Sequence, residues 1–224
     1  MIDLFAPYCC PCCGRVIDER EVICPDCLKD LNRTEQATMR GNNTEELFDY
    51  NVKFIHGASF MWVEPGSKEL DLIHQMKYGP FANPHIAFKL GQVLATEFME
   101  SGFFEDIQFM LPVPLHPKRL RERGFNQSEW LCRGISDVTG IPTDTEHLYR
   151  ARNNDHQARL AGTDRRKNTK GVFAVRYPED FYRLHVLLVD DLITTGSTLR
   201  SCIDAIRPIR ECQFSVLGLG RARH

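Results

Sequence analysis

From Asn51 onward the apolar positions alternate between two periods. Val52 to Val63 mixes β-branched and aromatic residues and predicts one or two strands, stopped by the Pro65-Gly66 turn. Leu70, Leu72, Ile73 and Met76 then recur at helical spacing, predicting a helix over Ser67 to Tyr78 with Ser67 as its N-cap. A second helix is predicted from His85 to Met99, ending at Ser101-Gly102. Ile107 to Val113 has the length and apolarity of a strand, and Asn126 to Val138 reads as a helix closed by Gly140 and Pro142. A short strand at Val172 to Val175 precedes the unbroken apolar run Val186 to Val189, the mark of a strand buried on both faces. A helix from about Ser197 to Arg207 and a last strand over Phe214 to Leu219 complete the pattern. Strands alternating with helices predict an α/β fold whose sheet is mostly parallel and flanked by helices.

Three stretches lack this periodicity. Residues 1–30 are turn-rich and cysteine-dense, residues 31–50 are polar and read as a linker, and Asn153 to Lys170 is long, polar and charged. A structureless stretch of that length inside a compact domain usually serves function. The expected organisation is therefore a small module over 1–30, a linker over 31–50 and the α/β domain over 51–224. No apolar run approaches the ~20 residues needed to span a bilayer, so no membrane insertion is expected. Met1 to Pro7 carries Asp3 where a secretory signal would be basic, which reads as cytoplasmic.

Net charge is -2, so the chain as a whole does not attract nucleic acid, but its cations are gathered. Lys118, Arg119, Arg121 and Arg123 form one cluster, and the arginines and lysines between Arg150 and Lys170 form another. Such clusters suit a solvated surface, or an anion of several charges.

Six of the nine cysteines (Cys9, Cys10, Cys12, Cys13, Cys24 and Cys27) fall in the first 27 residues. That is the distribution of a metal site in a reducing compartment rather than of a disulfide scaffold. Two C-x2-C pairs, each presenting two thiolates on one tight turn, can close a tetrahedron around Zn²⁺. The spacing admits Cys10/Cys13 or Cys9/Cys12 as the first pair, with Cys24/Cys27 as the second. The Cys13-Gly14 step favours Cys10/Cys13. Four thiolates leave no open position, so the zinc is expected to be structural.

The most informative stretch runs from Val186 to Thr198, VLLVDDLITTGST. A buried strand ends in Asp190 and Asp191, and a turn of small hydroxyl residues and glycine leads into a helix. Thr194, Thr195, Ser197 and Thr198 supply hydroxyls, Gly196 allows close backbone approach, and the helix start offers unpaired N–H groups. That is a cradle for a phosphate monoester. Paired carboxylates do not suit phosphate, but they accept hydrogen bonds from sugar hydroxyls. One phosphate beside a diol describes ribose 5-phosphate. Neither a Walker A pattern nor GxGxxG occurs, which argues against an ATPase or a dinucleotide enzyme.

This stretch resembles, at every position, the phosphoribosyl pyrophosphate signature of type I phosphoribosyltransferases. The resemblance implies that Asp190 and Asp191 hold the ribose and stabilise its cation, and that Thr194 to Thr198 hold the 5-phosphate. It places the pyrophosphate loop at Val113, Pro114, Leu115 and His116, with Lys118, Arg119 and Arg123 as candidate anion contacts and Mg²⁺ sharing the charge. Residues 152–173 resemble the flexible hood loop of the same enzymes, where Gln157, Arg165 and Asn168 are the candidates. The segment PVPLHPKRLRERGFNQ (112–127), the hood residues and the N-terminal cysteines together resemble the ComF family, proteins associated with competence and DNA uptake. The ComF pattern also favours Cys10 and Cys13 as zinc ligands and marks Lys77. Two readings follow. One is a phosphoribosyltransferase, hence a glycosyltransferase, with an unknown acceptor. The other is a non-catalytic sensor of the same ligand that handles single-stranded DNA with the competence machinery.

Overall fold

The computed structural model describes residues 7–18, 21–48, 53–78, 82–151 and 171–223. In chain order its elements are helix α1 (Pro25–Lys29), strand β1 (Phe54–Val63), α2 (Lys68–Lys77), α3 (Pro84–Met99), β2 (Phe109–Pro112), α4 (Pro117–Arg123), α5 (Gln127–Thr139), β3 (Leu148–Arg150), β4 (Phe173–Val175), β5 (His185–Ile193), α6 (Ser197–Ile206) and β6 (Gln213–Ala222). Short 3-10 turns precede β1 at Gln36–Thr38 and Glu45–Leu47. None of the helices in the described residues is long and apolar enough to cross a membrane.

Four strands form one sheet in the order β1-β6-β5-β2, and every pairing in it is parallel. β3 and β4 form a separate antiparallel ribbon. The apolar run of β5 explains its central place. Val186, Leu187, Leu188 and Val189 are all fully buried. Leu187 and Val189 face one core with Leu217, Leu219 and the apolar sides of α2, α3 and α5. Val186 and Leu188 face the other core with Val216, Phe214, α6 and the β3–β4 ribbon. Burying a leucine or valine side chain is worth about 1.5–3 kcal/mol, and a run with no polar face can realise this only where both sides of the strand are covered.

The helix ends follow their local chemistry. Ser67 caps α2, its Oγ accepting from the Leu70 N–H at 3.2 Å, and Asn126 caps α5 through the Ser128 N–H at 3.1 Å. α5 stops at Gly140, in the left-handed region at φ 73°. α3 and α5 approach so closely that a Cβ at Gly134 would lie 2.1 Å from the Phe88 carbonyl oxygen.

Residues 31–50 differ from the expected linker. Over 31–48 they form a packed layer along β1, the edge strand. Trp62 N–H donates to the Asn32 carbonyl at 2.8 Å and Thr34 N–H to the Phe60 carbonyl at 3.1 Å. Gln36 Oε1 accepts from the Thr44 hydroxyl at 2.6 Å and the Ser59 N–H at 3.0 Å, and Glu45 accepts from the Gly41 and Gly57 N–H groups at 2.7 and 3.0 Å. The buried side chains here are mostly polar and are joined by these hydrogen bonds, with Gln36 Nε2 left without a partner among the described residues, so the layer leaves no apolar period in the sequence. The cysteine module is not set apart from the α/β domain either. Cys10, Ile23, Cys24 and Leu31 share one core with Leu72, Ile73, Met76 and Ile86.

Candidate functional site

β2 and β5 are neighbours whose chains leave in opposite directions. The chain after β5 turns into α6 on one face of the sheet, while the chain after β2 leads through α4 to α5 on the other. A crevice therefore opens beyond the carboxyl ends of these strands, the usual place for a ligand in an open α/β sheet. The cleft found there has a volume of about 190 Å³ and a largely polar lining.

β5 carries Asp190 and Asp191 into the lining of the cleft, Asp190 still paired in the sheet opposite Gly218. Asp190 Oδ1 accepts from the Asp191 N–H at 2.9 Å and lies 3.5 Å from the Ser128 hydroxyl. Burial, and secondly the negative charge of Asp191, push the Asp190 carboxyl up to about 7, against the opposing pull of Lys77, the Asp191 N–H and Ser128. Asp191 is held on both oxygens. Lys77 Nζ lies 2.6 Å from Oδ1, and Gln127 Nε2 donates to Oδ2 at 3.1 Å.

The following turn is built to stay open. Gly196 sits at φ +71° as the N-cap of α6, and no side chain caps that helix start. A Cβ at Gly196 would meet Leu47 at 3.2 Å, so the polar layer before β1 supports the turn from behind. Arg221 Nη1 donates to the Ile193 and Thr194 carbonyls at 3.2 and 2.5 Å, and Arg200 Nη2 to the Thr195 carbonyl at 2.5 Å. Thr194, Thr195, Ser197 and Thr198 remain exposed.

Across the cleft, the loop after β2 continues the ladder, Val113 N–H donating to the Val189 carbonyl at 2.9 Å. Asn126 Nδ2 donates to the Val113 carbonyl at 3.1 Å, tying the loop to the start of α5. His116 caps α4, its Nδ1 accepting from the Lys118 N–H at 3.1 Å. Arg123 lies over the Tyr78 ring at 5.2 Å, and burial lowers its pKa from the usual arginine value.

Of the residues singled out in the sequence, Lys77, Val113, Pro114, Leu115, Arg119, Arg123, Asp190, Asp191 and Thr198 line this one cleft. Thr194, Thr195, Gly196 and Ser197 form the adjoining turn. His116 is buried as a helix cap, and Lys118 is exposed and outside the lining. Gln157, Arg165 and Asn168 lie outside the described residues. Sequence reasoning passed over Gln127, Ser128 and Arg150, which also line the cleft. For Gln127 and Ser128 the signal was available, because they open the helix that follows the basic segment. Arg150 was marked only as the start of the second basic stretch, since β3 is too short to carry a period that would direct it to the cleft.

At the N-terminal end, the Sγ atoms of Cys10, Cys13, Cys24 and Cys27 all lie within 4.8 Å of one another. This is the Cys10/Cys13 register, with Cys9 and Cys12 outside the cluster. The Gly14 N–H bonds the Cys10 carbonyl at 2.9 Å in the first turn, and α1 begins directly after Cys24. Burial alone would raise the Cys10 thiol, but the backbone N–H groups of Cys24, Cys12 and Cys13 help bring it down to about 6. Four converging soft ligands, one favouring its thiolate, are compatible with a structural zinc.

The parallel sheet, the acidic pair and the open turn before α6 define a type I phosphoribosyltransferase-like α/β protein. No protein-family model matches the chain. Among curated proteins it is similar to DNA utilization protein YhgH of Salmonella typhimurium, 28% identical over 193 residues that cover 85% of this chain and 80% of the relative. Competence protein F of Haemophilus influenzae is 36% identical over 114 residues, half of each chain. Competence protein ComFC of Bacillus subtilis is 27% identical over 85% of this chain and 68% of its own. Together with the motifs above, these relatives make the chain similar to the ComF-type competence and DNA-utilization proteins. The aligned stretch spans about half the length of several curated relatives.

Among solved structures it is similar to the glutamine phosphoribosylpyrophosphate amidotransferase of B. subtilis (TM-score 0.42, 17% identity, 66% of this chain and 30% of that one). The hypoxanthine phosphoribosyltransferase of Trypanosoma cruzi is at TM-score 0.40 and 12% identity, over 62% of this chain and 74% of that one. The fold stands on its strand order and its site, not on these likenesses.

Proposed function

We propose that the chain binds phosphoribosyl pyrophosphate with Mg²⁺ and transfers the phosphoribosyl group to an acceptor. The observation that carries this is the placing of a buried acidic pair beside an uncapped helix start, in a cleft also lined by Lys77, Arg119, Arg123 and Arg150. A ligand that suits both halves has hydroxyls for the carboxylates and several phosphate charges for the cations.

In this reading the N–H groups at the start of α6 and the hydroxyls of Thr194 to Thr198 hold the 5-phosphate. Asp190 and Asp191 accept the ribose hydroxyls and stabilise the positive charge that grows on the sugar ring as the anomeric C–O bond to pyrophosphate breaks. The loop 113–116, with Arg119 and Arg123, receives the departing pyrophosphate. Both oxygens of Asp191 are already paired with Lys77 and Gln127, so the donor set fits a Mg²⁺ that arrives held by ligand oxygens. When bound, Mg²⁺ would neutralise pyrophosphate charge. Cys10, Cys13, Cys24 and Cys27 would hold zinc and fix the N-terminal module. The test is release of pyrophosphate on incubation with phosphoribosyl pyrophosphate and Mg²⁺, over a panel of nitrogen acceptors. Release that disappears in Asp190→Asn/Asp191→Asn supports transfer.

A second reading rests on the names of the relatives, which speak of DNA utilization and competence. In it the chain senses the same ligand without chemistry and handles single-stranded DNA during uptake. Cation–aromatic pairs such as Arg176 over Tyr149 at 4.4 Å are the kind of surface on which bases stack. Ligand binding without pyrophosphate release, together with salt-sensitive binding of single-stranded DNA, would favour this reading. No DNA binding at low salt would end it.

A further inference from the structure

Gln127 has no part in the reading so far beyond holding Asp191, yet its environment calls for a ligand. It opens α5, lines the cleft and is only 2% exposed. A carboxylate only accepts hydrogen bonds, so the carboxamide must turn its NH₂ toward Asp191, as the 3.1 Å contact from Nε2 to Oδ2 records. That fixes which end of the amide is Oε1. This oxygen is buried and has no hydrogen-bond partner among the described residues. Buried acceptors are normally satisfied, and an orphan calls for an explanation. A second orphan lines the same cleft. The Arg123 Nη1 donor is also buried without a hydrogen-bond partner. The site thus holds one unmet acceptor beside the acidic pair and one unmet cationic donor on the side of the basic helix. A sugar hydroxyl answers the first and a phosphate oxygen the second.

We infer that Gln127 is a ligand-contacting, specificity-determining residue whose Oε1 accepts a hydrogen bond from the 2- or 3-hydroxyl of the bound sugar phosphate. The inference rests on the ribose-phosphate reading of the cleft. A hydroxyl fits better than a metal ion, because the Lys77 ammonium lies 2.6 Å from the other oxygen of Asp191 and repels a second cation. Nε2 and Oε1 then have separate tasks, one orienting Asp191 and the other reading the ligand. A site built to pair with a hydroxyl discriminates against the analogue lacking it, because its own polar group is left unpaired.

The experiment is competition or calorimetric binding of ribose 5-phosphate, 2-deoxyribose 5-phosphate and 3-deoxyribose 5-phosphate to the full chain without Mg²⁺. It is run on the wild type, Gln127→Met and Gln127→Ala, with a melting curve for each. Methionine keeps the length of the side chain. Alanine removes it at a helix-start position where it costs the helix little. The wild type should prefer ribose 5-phosphate over at least one deoxy analogue by about tenfold or more. In whichever variant melts as the wild type does, that preference should fall at least about fivefold, on top of any loss common to all three ligands that follows from freeing Asp191. A purely structural role for Gln127 would weaken all three ligands together and leave the ratio unchanged. An unchanged ratio in a folded variant overturns the inference and leaves the ribose-phosphate reading standing. If the wild type binds none of the three, nor phosphoribosyl pyrophosphate, the reading of the cleft fails and the inference falls with it.

Discussion

The four thiols of the N-terminal module and the two carboxylates at the end of β5 are both crowded acids, and the chain relieves the crowding in opposite ways. The sulfurs of Cys10, Cys13, Cys24 and Cys27 converge on one point with their turns closed behind them, an arrangement that a single soft ion would complete. The carboxylates are relieved separately. Asp191 is paired to Lys77 and Gln127, while Asp190 is pushed by burial up to about 7. One cluster is closed and its chemistry ends with the fold. The other is left partly unanswered beside an open helix start, and in the proposed reading a ligand completes it. A closed cluster should therefore govern stability and an open one should govern binding.

The largest expected effect tests the closed side. Cys24→Ser should abolish one bound zinc per chain, measured by elemental analysis, and remove a stabilisation on the order of 10 kcal/mol. Because Cys10 and Cys24 share a core with α2 and α3, the loss should lower the melting temperature of the whole chain. A variant that releases zinc yet melts unchanged would break the comparison. On the open side, Asp190→Asn/Asp191→Asn should cost at least about a hundredfold in phosphoribosyl pyrophosphate affinity without loss of zinc or folding.

Smaller effects sharpen the contrast. Gly196→Val would force a branched side chain to φ +71° and into Leu47. It should cost about 1–3 kcal/mol of stability and weaken binding of the 5-phosphate, so it is the one change expected to register on both sides. Titration of Asp190 gives the next effect. An unfolded aspartate titrates near 3.9, and this one is raised to about 7. Its contribution to the stability of the unliganded fold is therefore full below about pH 4 and is lost as pH rises toward 7. Hydrogen bonds from ligand hydroxyls favour the ionised form, so affinity should rise through the same window, about tenfold between pH 6 and pH 8. Asp190→Asn should flatten that profile in calorimetry at both pH values. The smallest effect is expected of Arg221→Met. Removing the guanidinium that braces the Ile193 and Thr194 carbonyls should weaken phosphate binding by about three- to tenfold, with zinc content unchanged.

Much of this division was legible in the sequence, for reasons that differ by region. The run Val186–Val189 predicts a strand covered on both faces because nothing in it tolerates water, and β5 is so covered. The same segment names Asp190 to Thr198, since a strand, a turn and a helix start lie consecutively in the chain. Lys77 could be marked only by resemblance. Its partner is 114 positions away, and no local pattern records such a contact. The packed layer over 31–48 was illegible because its buried groups are Gln36, Asn42, Thr44 and Glu45, which in a sequence look like solvated loop. Arg221 was overlooked because it lies at the end of a strand predicted to stop at Leu219, whereas β6 runs to Ala222.

The central claim is that the open cluster is a phosphoribosyl pyrophosphate site. The most direct measurement is calorimetric titration of that compound into the zinc-loaded chain, with and without Mg²⁺, beside the Asp190→Asn/Asp191→Asn variant. The account predicts saturable one-to-one binding, tighter with Mg²⁺ and lost in the variant. Absence of binding under both conditions, or binding of equal strength in the variant, would contradict it.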